Sequence, residues 1–282
     1  MNITLNNGEN LYYEKREGGE HVILLIHGNM ASSAQWDLLM EQLDPAFTVY
    51  AVDLRGYGES SYHQPVHSIR DFSEDVKQLV DQLALQNFML IGWSNGGGVA
   101  MQFAANYPEY IHKMILLSSI STRGFPAMDI DGKRIQSRDQ LAADPGFNRM
   151  LEAQQMKNVD FFRTAMDQVL YSANAPSEER YQKYLTSATQ QRNMLDAAYA
   201  ANKFNISMVN GTGEVRHISV PVLVLWGERD RITTNEMTME IIEDFQHAAI
   251  DFVYSPIHAG HALLVDNITV VLEEIYRFSE VK

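Results

Sequence analysis

The chain has 282 residues with 22 basic and 36 acidic side chains, a formal charge of −14 and no cysteine. The absence of cysteine excludes disulfides, thiolate metal sites and a cysteine nucleophile, and the acidic balance repels nucleic acid and anionic membrane surfaces. A hydrophobic fraction of 45% and a charged fraction of 21% are those of an ordinary globular chain, long enough for one large α/β unit.

The start, Met1 to Leu11, is polar and lacks the basic residues and apolar run of a secretion signal. No stretch approaches the roughly 18 apolar residues of a membrane span, so a cytoplasmic setting without membrane insertion is expected. Ile3 to Tyr13 alternates loosely and predicts an entry strand or hairpin turning at Asn7-Gly8. Val22 to Ile26 and Thr48 to Val52 are short continuous apolar runs, the pattern of strands buried on both faces. Between them, Trp36, Leu39, Met40 and Leu43 fall at helical spacing within Ser33 to Leu43. A helix follows over Asp71 to Leu85, then a strand over Phe88 to Ile91, a helix from Gly96 to Asn106 and a strand from Ile111 to Leu117. This alternation predicts βαβ units in a doubly wound, mostly parallel sheet.

The alternation stops after Ser121. Residues 125–217 predict several helices, the clearest over Val159 to Ser172 and Ser177 to Gln190, and no buried strand. Strands return at Val222 to Leu225 and Ile250 to Tyr254, and a helix closes the chain over Asn267 to Phe278. The expected organisation is one α/β core, 1–124 and 218–282, interrupted by a helical insertion at 125–217.

Gly92-Trp93-Ser94-Asn95-Gly96 follows a predicted strand and opens a predicted helix. This is G-x-S-x-G in a strand–turn–helix setting, where a tight turn thrusts the Ser94 hydroxyl clear of the backbone. Such a serine needs a base. Among nine histidines, His261 lies between the last predicted strand and the last helix, where the loops of an open sheet converge; His258 is the lesser candidate. The acid that braces the base is Asp230, directly after the strand ending at Leu225, with Glu228 as the alternative. The backbone N–H groups of Asn29, after the first buried strand, and Asn95, after the serine, are the expected oxyanion donors. The Asn29 side chain either adds a donor or caps the following helix, and His27 is read as a brace for its loop.

With His27-Gly28-Asn29, the stretch Asp53-Leu54-Arg55-Gly56-Tyr57-Gly58-Glu59-Ser60, the Ser94 turn, Gly227 to Asp230 and Gly260-His261, the chain resembles the α/β-hydrolase superfamily over nearly its whole length. The resemblance implies a Ser94–His261–Asp230 triad beneath a helical cap. It also implies that Asp53 and Arg55 are structural. Related haloalkane dehalogenases and epoxide hydrolases use an aspartate nucleophile, and this chain carries Ser94 instead. Some relatives place the acid after an earlier strand, but no carboxylate follows Ser118 to Ser121 until Asp129.

The expected reaction is hydrolysis of a small to medium apolar ester, lactone or thioester through an acyl-enzyme, with no metal or organic cofactor. C–C cleavage of diketone-like substrates and a slow-turnover ligand-binding or signalling role are the alternatives; the partner is a small molecule and the oligomeric state is open. Met128, Met150, Met156, Phe161, Phe162, Met166, Met194 and Met208 either line an adaptable apolar pocket or pack the inserted helices.

Overall fold

In the computed structural model, which describes residues 1–280, the chain enters as a hairpin of β1 (Asn2–Thr4) and β2 (Asn10–Arg16) around the Asn7-Gly8 turn. Residues 281 and 282 of the expected core segment 218–282 lie outside the described residues. Then follow β3 (His21–Ile26), α1 (Asp37–Gln42), β4 (Phe47–Val52), α2 (Ile69–Gln82), β5 (Phe88–Trp93), α3 (Asn95–Asn106) and β6 (Ile111–Leu117). Five helices come next: α4 (Arg138–Ala143), α5 (Pro145–Gln155), α6 (Val159–Val169), α7 (Glu178–Gln190) and α8 (Met194–Lys203). The chain returns through β7 (Val222–Gly227), α9 (Asn235–His247), β8 (Phe252–Ile257) and α10 (Leu263–Ser279).

Among the described residues the strands form one eight-stranded sheet in the order β1-β2-β4-β3-β5-β6-β7-β8. The first two strands are antiparallel, and every pairing from β4 onward is parallel. The continuous apolar runs are explained by burial on both faces. In β3, Leu24 and Ile26 join a core shared with Phe72, Val76, Leu79 and Phe103 of α2 and α3. Its alternate residues Ile23 and Leu25 join Trp36, Leu39, Val271 and Ile275 on the other face. Each such side chain contributes about 1.5–3 kcal/mol on burial. The five-helix segment has a smaller core of its own, including Phe162, Leu185 and Met194.

Several boundaries differ from the sequence expectation. The helix predicted from Ser33 begins as a tight 3-10 turn, Ser33–Trp36, capped by Ser32 and Gln35, and becomes α-helical only at Asp37. The last strand reaches Ile257, past Pro256; β8 is an edge strand, where the missing N–H of proline does no harm. The closing helix starts at Leu263, ahead of a non-helical Asn267 with φ −156°. Helix α9 was not anticipated: Met237, Ile241 and Phe245 lie four apart, but Thr238, Glu240 and Asp244 between them blur the stripe.

Candidate active site

Because β3, β5, β7 and β8 run parallel, their following loops meet at one edge of the sheet. Ser94 directly follows β5 and stands at the N-terminus of α3 with φ 56° and ψ −122°. A positive φ at a residue with a side chain is strained, and such strain persists where the surroundings impose it. Here they do. A Cβ on Gly96 would run into the Ile26 carbonyl oxygen, so the turn packs directly on β3. A Cβ on Gly28 would lie 2.8 Å from Ser94 Cβ, so the loop after β3 passes against the serine. The Asn29 N–H on that loop donates to no protein acceptor among the described residues. The Asn95 N–H belongs to the first turn of α3, where no intrahelical acceptor exists.

His261 follows β8 and is 2% exposed. Its Nδ1 lies 2.8 Å from Asp230 Oδ2, whose side chain has no exposed surface. Asp230 Oδ1 accepts the Ile232 N–H at 2.8 Å and the Thr233 N–H at 3.0 Å, and Thr233 Oγ1 lies 2.6 Å from Oδ2. Burial pushes the Asp230 carboxyl up, but His261, Thr233 and the Ile232 N–H outweigh it and hold the group below the usual carboxylate range. Trp93 braces the imidazole from another side: its ring centroid is 5.4 Å from that of His261, and its Nε1 donates to the His261 carbonyl at 3.0 Å.

Ser94, His261, Asn29 and Asn95 line one cavity of about 330 Å³ between the sheet edge and the five-helix segment. The rest of its wall is almost wholly apolar, and among the described residues no Asp, Glu, Lys or Arg lines it. Of the Met and Phe residues singled out in the sequence, Met150, Phe161, Phe162 and Met166 reach this cavity. Met128, Met156 and Met208 are exposed, and Met194 packs among the helices.

A model of the alpha/beta hydrolase fold matches residues 21–268. The chain belongs to the α/β-hydrolase family. It is 28% identical to a pimeloyl-[acyl-carrier protein] methyl ester esterase of Vibrio cholerae, over 85% of this chain and 86% of that one. It is 21% identical to a 2-hydroxy-6-oxononadienedioate/2-hydroxy-6-oxononatrienedioate hydrolase of Pseudomonas putida, over 86% and 82%. An uncharacterized protein of Mycobacterium tuberculosis is 36% identical over 36% of this chain, which spans 30% of that protein's length. In structure it is similar to an esterase from Exiguobacterium antarcticum, with a TM-score of 0.80 at 19% identity over 99% of this chain and 98% of that one.

Within this α/β-hydrolase, the other sequence candidates fall away from the cavity. The His258 side chain is 60% exposed and faces Glu228 at 3.4 Å. His27 is buried; its Nε2 accepts the Leu54 N–H at 3.0 Å and its Nδ1 lies 2.7 Å from the Gly28 carbonyl, which makes it a brace between loops. Asp53 accepts the Ser33 and Glu59 N–H groups, and Arg55 forms a buried two-point pair with Asp75 at 2.6 and 2.7 Å. The Asn29 side chain does not cap the helix, a role held by Ser32; its Oδ1 accepts from Tyr57 Oη at 2.9 Å and from Gln191 Nε2 at 2.8 Å. Thr233 and Trp93 were overlooked in the sequence. Thr233 stands three residues after Asp230, a spacing that suits a turn in which the hydroxyl returns to the carboxylate; Trp93 occupies a variable position of the serine motif and carried no signal of its own. Among the described residues no group of three His, Asp or Glu side chains is placed to hold a metal ion.

Proposed function

We propose that this hydrolase cleaves small to medium, uncharged carboxylic esters through an acyl-enzyme on Ser94. The observation that carries the reading is a strained, projecting Ser94 in the same uncharged cavity as an imidazole braced by a buried carboxylate. Ser94 Oγ attacks the ester carbonyl while His261 takes its proton, and the imidazolium formed is stabilised by ionised Asp230. The N–H groups of Asn29 and Asn95 receive the oxyanion. His261 then protonates the departing alcohol, and water repeats the sequence to release the acid.

The helices of segment 125–217 act in this reading as the cap, which roofs the acyl site with Met150, Phe161, Phe162 and Met166. A cavity of about 330 Å³ is at the small end of ligand sites and suits short acyl chains. C–C cleavage is the weaker reading: a dioate carries two carboxylates, and no cation lines the cavity to receive them. A cytoplasmic setting is part of the proposal.

The test is steady-state hydrolysis of p-nitrophenyl acetate, butyrate and octanoate by the protein and by Ser94→Ala. We expect repeated turnover, butyrate preferred over octanoate, and a loss of at least about 10³-fold on substitution. Turnover that survives Ser94→Ala sinks the reading.

A further inference from the structure

The Asn29–Met30 stretch of the loop after β3 is gripped from the cap side by the side chain of Gln191. Gln191, between α7 and α8, is 0% exposed, and its amide is engaged at both ends. Oε1 accepts the Met30 N–H at 3.0 Å. Nε2 donates to Asn29 Oδ1 at 2.8 Å and to Asn193 Oδ1 at 2.9 Å. The orientation of the amide follows from its partners: a backbone N–H only donates, so the oxygen faces Met30 and the nitrogen faces the two carbonyl oxygens.

This grip falls on a strained piece of backbone. Met30 has φ 53°, a left-handed conformation that a residue with a side chain keeps where its surroundings impose it. The same peptide group follows directly on the Asn29 N–H, and Tyr57 Oη fixes Asn29 Oδ1 from the other side at 2.9 Å. Gln191 is itself anchored to the core. The Arg192 N–H donates to the Gly56 carbonyl at 2.7 Å, the Arg192 guanidinium reaches the carbonyls of Gly58 and Ser60, and Asn193 Nδ2 donates to the Arg55 carbonyl at 2.6 Å.

We propose that Gln191 is a positioning residue for the oxyanion donor: from the cap, it holds the Asn29–Met30 peptide where the Asn29 N–H meets the charge that develops on the ester carbonyl. The inference rests on the Ser94 reading of the preceding section. Gln191 is not among the residues that line the cavity, so it acts through Asn29 and not on the substrate. Stabilisation of an oxyanion depends on donors fixed before the charge appears, and a donor displaced by about 1 Å loses much of its effect. Loss of the Gln191 amide therefore falls on kcat, with binding of the uncharged ester left in place.

The experiment compares Gln191→Ala and Gln191→Glu with the unsubstituted protein and Ser94→Ala on p-nitrophenyl butyrate, with a thermal melt of each. For Gln191→Ala we expect kcat to fall on the order of 10- to 100-fold with KM within about threefold. A boronic acid that forms a tetrahedral adduct should lose affinity by the same factor as kcat/KM, while butyrate inhibits as before. Gln191→Glu keeps an acceptor for Met30 but turns a carboxylate oxygen toward two carbonyl oxygens. Protonation restores one donor, so the ratio of Gln191→Glu activity to unsubstituted activity should rise as pH is lowered. That ratio carries the test where Gln191→Ala melts below the assay temperature. Ser94-dependent turnover with kcat unchanged in Gln191→Ala, a rise confined to KM, or a pH-independent ratio overturns the proposal. Turnover that is absent, or that survives Ser94→Ala, overturns the reading beneath it and the proposal with it.

Discussion

Asp230 is a carboxylate with no exposed side-chain surface, and its ionised state depends on what replaces water around it. Thr233 supplies a hydroxyl 2.6 Å from Oδ2, the oxygen that also faces His261. Thr233→Val keeps the side-chain shape and removes that hydroxyl. We expect kcat/KM to fall about tenfold, equivalent to ~1.4 kcal/mol, and the melting temperature to drop by a few degrees as the hydrogen bond to the charged group is lost. Unchanged ester kinetics would show that Asp230 Oδ2 needs no donor besides His261. His27 gives a separate prediction about stability. Burial pushes its imidazole below the ordinary value of 6.5, and Asp53 and the Gly28 carbonyl only partly oppose this. The folded protein therefore keeps His27 neutral where the unfolded chain takes up a proton. Stability fully present above about pH 6.5 is lost as pH falls from there toward the lower folded value. Melting temperature should drop between pH 7.5 and 5.5, and His27→Gln should flatten most of that slope; His112, also pushed down by burial, keeps the remainder. A flat profile in the unsubstituted protein would contradict this.

At the scale of elements, the first turn of α10 joins the His261 loop to the connection between α6 and α7. Asp266 accepts the N–H groups of Gly260 at 2.6 Å, Ala173 and Asn174 at 2.9 Å and Ser172 at 2.9 Å, together with the Ser172 hydroxyl at 2.8 Å. Burial raises this carboxyl, but the N–H groups of Asn174, Gly260 and Ala173 win and hold it below the usual range. Asp266→Ala removes the carboxylate from the buried Gly260 N–H and from the more exposed N–H groups of Ser172, Ala173 and Asn174 at once. We expect a loss of about 3 kcal/mol, read as a melting temperature lower by several degrees, together with reduced kcat as the loop bearing His261 loosens. A melt within a degree of the unsubstituted protein would mean that water replaces the carboxylate at little cost. Gln191 and Asp266 thus attach the inserted helical segment to the two loops on either side of Ser94, one with the proposed oxyanion donor Asn29 and the other with the proposed base His261.

For the whole molecule, charge and cavity act in the same direction. The formal charge is −14, and no charged side chain among the described residues lines the cavity. An anionic ester is repelled on approach and finds no counter-charge on arrival. For esters of matched length, kcat/KM for a hemisuccinate should be at least about tenfold below that for the neutral butyrate. The gap should narrow as salt screens the approach. Equal rates at low salt would place a cation near the acyl site after all.

Much of this architecture was legible in the chain itself. Val22 to Ile26, Thr48 to Val52 and Phe88 to Ile91 are apolar at consecutive positions, and only a strand covered on both faces needs that. The order Ser94, Asp230, His261, each after a predicted strand, followed from the same reading, because loops after parallel strands share an edge. Helix α9 was missed because polar residues interrupt its stripe, and the end of β8 because Pro256 reads as a breaker away from a sheet edge. Contacts across long stretches of chain left no local trace. Gln191 is 162 residues from Asn29, and Asp266 is 94 from Ser172. Local pattern records which face of an element is buried, and it determined the sheet and the residues proposed to carry the chemistry. Which side chains hold those residues in place depends on where distant elements dock, and only the tertiary structure decided that.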